Sequence, residues 1–405
     1  MASRNRIGRR EFIVTSAGAL AAGLGSACGR VPASEIEEAA AKVGRLPQRA
    51  LDRSGRKVSV LIGAATWAPE AVEAGILCGI NYWHKSDEWE GRSVPPAILK
   101  NREAHYCEVC VDRVRGNHET GVIDEQAHYD FVKHALERTG LRYFDDMMFH
   151  FGYHRTAEVK SNPAFLRTYE RLKKEGLVRH LCLSQHSYNG NGRVPDGEDR
   201  AMILTAVVAD GVYEHAQFAF TFGEGEALNK FVSLAKSKGF GTIAMKTTGG
   251  AARMQANREF MGKFPSGTTP HNALARWLTT RTDLSAAVIQ INNLEQFVDT
   301  YSGAGKPLRA ADARAIEVMT AYANREVCRL CNDCMSHCGQ GVAIADILRY
   351  ERYATDYGER ERARRLYAQL DKKGDACLVC GSCLPHCPQG LNVPAKLADA
   401  HRLLS

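Results

Sequence analysis

Beyond its first thirty residues the chain has no apolar run approaching the roughly 18 residues that a membrane-crossing helix needs, which excludes a polytopic membrane protein. It also lacks a concentrated basic face. The net charge is +7, but the first thirty residues hold five Arg and one Glu, so most of that charge sits there and only +3 is left for the remainder. So thin a surplus excludes a nucleic-acid binder. No G-x-G-x-x-G follows the first strand-like run, which counts against an open dinucleotide-binding sheet. Whole-chain disorder is excluded as well, because 44% of the residues are apolar and only 24% are charged. A chain of 405 residues suggests two or three domains and needs no disulfide staples to make a core.

Cysteine is unevenly distributed. Eight of the thirteen lie between positions 328 and 387. They form the run Cys328-x2-Cys331-x2-Cys334-x3-Cys338 and, after 38 intervening residues, the run Cys377-x2-Cys380-x2-Cys383-x3-Cys387-Pro388. Both have the ferredoxin spacing for [4Fe–4S] clusters, with Gly339 standing where the first run would carry its proline. Three thiolates at three-residue spacing wrap one face of a cubane, and in two-cluster proteins the fourth comes from the other run. This assigns Cys328, Cys331, Cys334 and Cys387 to one cluster, and Cys377, Cys380, Cys383 and Cys338 to the other. Structural zinc is the alternative, but zinc sites use two C-x2-C pairs per metal. Between the runs, residues 343–367 read as helix, with Ile344, Ile347, Leu348 and Tyr350 apolar and a break at Gly358. The charged run 359–365 reads as a solvated helix face. No short strands are evident, so residues 311–405 are expected to be a small, mainly α-helical, two-cluster domain.

The first thirty residues read as a removable export signal. Arg9-Arg10-Glu11-Phe12-Ile13-Val14 resembles a twin-arginine motif, and an uncharged stretch follows to Gly29 with small residues before Cys28. The alternative is an anchor helix, which the short, Gly-rich stretch disfavours. Cys28 raises the further option of a lipid anchor, although Gly25 stands where a lipoprotein signal usually carries Leu. The twin-arginine route carries folded proteins, which suits a chain that assembles its clusters before export to the periplasm or the outer side of the membrane.

Residues 31–56 read as a polar linker. From 57 to 310 short β-rich runs alternate with segments of helical periodicity. The runs cover residues 57–62, 79–83, 105–111, 143–149, 178–183, 212–218, 241–245 and 284–289. Eight strands with intervening helices predict an α/β fold of the (β/α)8 TIM-barrel kind, the open doubly wound sheet being the runner-up. In such a barrel chemistry sits at the C-terminal strand ends. That singles out His84, His150, Ser184, Gln185, His186, Gln217 and Lys246. Cys107 and Cys110 are three apart on one strand, hence on opposite faces and unable to share a metal.

Residues 50–305 resemble the aldo/keto reductase superfamily. The segments 74–83, 143–150, 176–186, 243–250 and 293–296 match its second, fourth, fifth and seventh strands and its last helix in order. The resemblance implies a catalytic His at His150 and nicotinamide contacts at Ser184, Gln185 and Gln217. A two-cluster module behind such a barrel resembles the ferredoxin-fused branch. The family's other tetrad members are replaced: His84 stands for the Asp, Trp89 for the Tyr, and the third strand carries no Lys. A Trp indole cannot act as the acid that the Tyr supplies. His84, His150 and Lys246 form a different candidate set for proton handling. NADP(H) is disfavoured, since residues 290–296 offer no Lys or Arg for the 2′-phosphate and free nucleotide is scarce along the export route. Two functions remain. One is an exported iron–sulfur oxidoreductase in which two clusters join a small-molecule pocket to an electron donor or acceptor protein. The other is an electron-transfer or partner-binding protein whose barrel is only a scaffold, its mouth filled by Trp89.

Overall fold

The computed structural model describes residues 31–89, 93–112, 124–150, 152–153, 155–159, 163–185, 198–330 and 333–405. The twin-arginine segment, Cys28, His186 and Cys331 lie outside the described residues. Strands β1 (Gln48–Ala50) and β2 (Lys57–Ser59) pair as an antiparallel hairpin. Eight more strands close a barrel. They are β3 (Leu61–Ala64), β4 (Tyr82–His84), β5 (Tyr106–Asp112), β6 (Phe144–His150), β7 (Val178–Gln185), β8 (His215–Ala219), β9 (Gly241–Met245) and β10 (Ala286–Val288). Their order around the barrel is β10-β3-β4-β5-β6-β7-β8-β9, and every pairing is parallel. The predicted (β/α)8 barrel is therefore the observed fold.

Side-chain alternation along the strands separates two environments. Trp83, Val109, Met147, Leu181, Phe218 and Ala244 face outward into the main core beneath the surrounding helices. Their chain neighbours Tyr82, Glu108, Asp146, Cys182, Gln217 and Ile243 face the barrel axis, where polar groups meet one another instead of a purely aliphatic filling. Local signals set the helix boundaries. Asp124 caps the helix Glu125–Thr139 by accepting from the Ala127 amide at 3.0 Å, and Gly140 ends it in the left-handed conformation.

The segment 31–56, expected as a linker, carries structure. The helix Ala33–Val43 buries Ile36, Ala40 and Val43 in the main core. The hairpin seals the N-terminal end of the barrel, with Leu51 and Val58 packed on Ile62, Tyr82, Ile243 and Ala286. Three-residue strands among charged residues leave no periodicity to read, which is why composition alone gave a linker. From the hairpin turn Arg56 reaches inward. Its Nη1 donates to Asp146 Oδ2 at 2.8 Å and its Nη2 to Asp52 Oδ2 at 2.7 Å, both carboxylates being fully buried.

The C-terminal region docks on the opposite, C-terminal end of the barrel. The helix Ala310–Glu326 packs Met319 and Ala323 against Ala251, Met254 and Phe260. The helices Ile344–Thr355, Arg360–Ala368 and Val393–Leu404 then enclose a second core around Ile347, Leu348, Ala363, Tyr367 and Leu397. Arg253 of the barrel pins this unit, its Nη2 lying 2.9 Å from Glu351 and 3.3 Å from Asp356. The run 359–365 is not wholly the solvated face its charges suggest. Ala363 is buried, and Arg362 turns inward over the Tyr353 ring at 5.2 Å.

Removing one partner of a buried ion pair strands the other charge. Replacing Arg56 with Met should therefore cost about 3–5 kcal/mol, read by urea unfolding. Burial opposes ionisation of Asp52 and Asp146, but His215 and Arg56 outweigh it and hold both carboxyls below the ordinary carboxylate range. A lowered folded-state pKa contributes stability that is complete above the unfolded value of about 3.9 and is lost as pH falls toward the folded value. The wild-type Tm should drop steeply below about pH 4, and Arg56→Met should lack that acid-side loss.

Candidate functional site

A chamber of about 120 Å³ opens at the C-terminal ends of the barrel strands. His84 ends β4 and His150 ends β6, so both are delivered to it by strand length, while Ser184 reaches it from β7. Lys246 follows directly on β9. The roof is the cluster-bearing region, which contributes Tyr353, Tyr357, Glu359 and Arg362. The structure thus brings His84, His150, Lys246 and Ser184 to one cavity. Two of its lining residues, Lys85 and Lys246, are non-glycine residues at φ +55° and +53°. Such left-handed positions cost about 1–3 kcal/mol each and persist where the surroundings over-determine them. Burial pushes the Lys246 ammonium down to about 8, with Arg352, Arg349 and Arg362 adding to the effect. Tyr353 faces the converse field. Burial raises its phenol, but Lys246, Arg349 and Arg362 more than reverse this and bring it to about 8.

Beneath the chamber Glu108 organises the barrel axis. His84 Nδ1 lies 2.5 Å from its Oε1, and the Tyr82 hydroxyl donates to its Oε2 at 2.8 Å. Gln217 Nε2 donates to the same Oε2. The Tyr82 oxygen also lies 3.3 Å from His215 Nε2. Since its proton goes to Glu108, its oxygen is left to accept from His215 Nε2. His215 Nδ1 stands 3.7 Å from both Asp52 and Asp146, and Asp146 meets Arg56. One polar column therefore runs from the hairpin plug to the chamber floor. The thiols of Cys110 and Cys182 flank it, burial foremost and Glu108 next pushing both well above the ordinary thiol range. They stay neutral and pack as small side chains, with Cys107 on the opposite, outward face. His84, Glu108 and Cys110 approach a metal-ligand spacing, as do Glu108, Cys182 and His215. Glu108 is the shared member of both sets, and its oxygens already accept from Tyr82, Gln217 and His84, whereas His215 Nδ1 and Gln217 Oε1 are buried with no hydrogen-bond partner among the described residues.

The three residues expected to hold a nicotinamide are dispersed. Ser184 Oγ lines the chamber and has no hydrogen-bond partner among the described residues. Gln185 is the next residue of a continuous strand and so points outward. Its Oε1 accepts from the Tyr153 amide at 3.1 Å and its Nε2 donates to the Tyr153 carbonyl at 2.9 Å, which fixes a loop. Gln217 sits below the floor, engaged with Glu108. The Gly249-Gly250 turn, where a phosphate cradle would be sought, is packed shut: a Cβ at Gly249 would come within 2.8 Å of the Phe222 ring, and one at Gly250 within 2.9 Å of Val327. These residues do not fit a nicotinamide dinucleotide. Trp89 does not enter the mouth either, but packs on Trp83 in the outer core with ring centroids 6.2 Å apart.

Cysteines of the two C-terminal runs share one core among the described residues. Cys338, Cys377, Cys380 and Cys383 surround one cavity of about 20 Å³. Cys328 is raised to about 11 by burial foremost, with Cys387 among the neighbours that add to the effect. Leu330 and Val379 occupy the same place in their two runs, two residues after the first cysteine, and both are left-handed at φ +57° and +56°. A β-branched residue there is an outlier, and its repetition marks a loop shaped for its sulfurs. The turn aims the Leu330 amide at Cys328 Sγ, 3.3 Å away, and the Leu391 amide likewise points at Cys387 Sγ at 3.4 Å. Amide donors of this kind stabilise thiolate ligands. The donor set and these loops fit [4Fe–4S] ligation, with Cys334 buried in the same core. Cys328 also borders a small cavity of about 30 Å³ that is shared with Lys246 and Arg352. Sequence reasoning missed Glu108, Tyr353, Tyr357 and Arg362. Strand alternation places Glu108 inward, but nothing local marks the other three.

Residues 327–391 match the family model of the 4Fe-4S dicluster domain. No curated protein matches the chain in sequence. Among solved structures the chain is similar to an aldo-keto reductase from Bacillus halodurans in its holo form, with 15% identity and a TM-score of 0.48 over 68% of this chain and 96% of that one. It is also similar to a candidate aldo-keto reductase from Pseudomonas aeruginosa, with 17% identity and a TM-score of 0.45 over 65% of this chain and 97% of that one. The chain thus joins a closed (β/α)8 barrel to a region that matches a 4Fe-4S dicluster domain.

Proposed function

We propose that the chain is an exported iron–sulfur oxidoreductase that passes electrons between a small organic molecule in the chamber and a partner protein. The observation that carries this reading is the roof: the region bearing the cysteine runs itself closes the barrel mouth, and Cys328 and Lys246 border one cavity. Two [4Fe–4S] clusters, when bound, supply single-electron transfer. The chain's own residues manage the protons that must accompany it. In this reading the Asp, Tyr and Lys of the aldo/keto reductase tetrad are missing, and His84, with its imidazole held by Glu108, works beside His150, the one member kept. Glu108 fixes the ring, leaving the other ring nitrogen for the chamber. Lys246 supplies positive charge beside them. Residues 1–30 serve as the twin-arginine signal, and Cys28 is a candidate lipidation site.

Anaerobically reconstituted protein should hold about eight iron and eight sulfide per chain. Zinc in their place would overturn the reading. The crossed ligand sets predict that the double variant Cys328→Ser with Cys387→Ser keeps one cluster, with about four irons. Pairing within each run would leave none. NADPH should fail to bleach the cluster absorbance that dithionite bleaches. In viologen-driven turnover of a panel of small carbonyl compounds, His150→Ala should lose about 10²-fold or more. Unchanged turnover would remove His150 from the site. Replacing both Arg9 and Arg10 with Lys should hold the chain in the cytoplasm, as read by fractionation of a strain with a working twin-arginine route.

A further inference from the structure

The cations around the chamber are not equivalent. Lys85 Nζ meets Glu88 at 2.6 Å, Arg362 meets Glu359 at 2.9 Å, and Arg352 meets Asp356 at 3.3 Å. Arg349 is paired with Asp346. Lys246 has no carboxylate partner among the described residues. Its Nζ instead lies 5.1 Å from the Tyr353 ring centroid and 5.8 Å from that of Tyr357. A buried ammonium costs free energy unless something compensates it, and aromatic faces do so only in part. The left-handed backbone at Lys246 adds strain to keep the side chain there. Ser184 Oγ, 1% exposed and on the same cavity, also has no hydrogen-bond partner among the described residues, and the same is true of Thr248 Oγ1 and the Tyr357 hydroxyl.

A charge without a carboxylate partner beside hydroxyls without hydrogen-bond partners, on one small cavity, describes half of a binding interaction. We propose that the chamber binds a small monoanionic carboxylate, with Lys246 as its counter-ion and Ser184 as a hydrogen-bond donor. Among the described Lys and Arg that line the chamber only Lys246 lacks a carboxylate partner, and one such charge matches a monoanion better than a phosphate dianion. Its walls include Ala64, Met245, Val288 and the two tyrosine rings, which suit a short carbon skeleton. This rests on the reading of the chamber as the substrate site, and it narrows the substrate to a carbonyl compound that also carries a carboxylate.

The test is calorimetric titration of the full-length, cluster-loaded protein with pyruvate, with acetone as the uncharged counterpart and inorganic phosphate as the dianion. Pyruvate should bind and acetone should not. Lys246→Met should weaken pyruvate binding at least about tenfold, since it removes a charge-assisted contact, while Lys246→Arg stays within about threefold. Ser184→Ala should weaken it by a smaller factor, and iron content reports that each variant has folded. Equal binding by acetone, preference for phosphate, or undiminished pyruvate binding by an iron-replete Lys246→Met protein would overturn the proposal. The two readings fail separately. Pyruvate bound through Lys246 that leaves the cluster EPR spectrum and potentials unmoved upholds the anion site and removes the electron-transfer role. Clusters reoxidised by uncharged carbonyl compounds, with pyruvate ignored, do the reverse.

Discussion

The arrangement depends on one docking contact, the seating of the helix Ile344–Thr355 across the open end of the barrel. Arg253 holds it through Glu351 and Asp356, both near the end of that helix from which Tyr353 and Tyr357 descend. Without this contact the strand ends would present His84, His150 and Lys246 to open water, where surface charges act weakly. With it the same groups share a small cavity whose roof is aromatic and cationic, and their mutual influence grows as water leaves. The perturbation of Lys246 and Tyr353 is a direct product of that closure, because each is shifted by groups on the other side of the interface.

The far end of the barrel shows the complementary solution. A barrel axis filled with aliphatic side chains needs no polar bookkeeping, yet here Glu108, Tyr82, His215, Asp146 and Asp52 occupy it. Buried polar networks are tolerable only when nearly every member is satisfied. Arg56 closes this one at the bottom with three hydrogen bonds to two carboxylates. His84 closes it at the top. The hairpin is thus more than a plug, since it supplies the cation that lets a carboxylate column exist under the chamber.

Much of the barrel was legible in the sequence because its information is local. Each of the eight runs read as strands overlaps a barrel strand, since buried parallel strands need short β-rich stretches whatever they pack against. The cysteine runs were legible for a different reason: cubane geometry dictates ligand spacing directly. What was not legible came from contacts between distant positions. Tyr353 and Arg362 read as an ordinary helix face until 246 and 353 are known to meet. Gln185 illustrates a subtler failure. The motif match suggested that it and Ser184 act together, but β7 continues through both, and a continuous strand cannot turn two consecutive side chains to one face. The segment 31–56 was misjudged because strands of three residues carry too little pattern, although the Arg and Asp that seal the barrel are both within or beside it.

The combination of parts constrains the chemistry further than either part does alone. A hydride donor moves two electrons at once and needs only one proton to finish a carbonyl reduction, so a single acid suffices. Iron–sulfur centres move electrons singly. The same reduction then passes through a charged intermediate and requires two protons, arriving at different times. A site built for that order of events benefits from several groups that change protonation near neutrality and from fixed positive charge to restrain the anionic intermediate. The chamber sets two histidines, one of them held by a buried carboxylate, beside a lysine that burial brings down to about 8 and a tyrosine that neighbouring cations bring down to about 8. On the proposed function, a roof that carries one-electron centres and a chamber lined by histidines and a lysine are two parts of one arrangement.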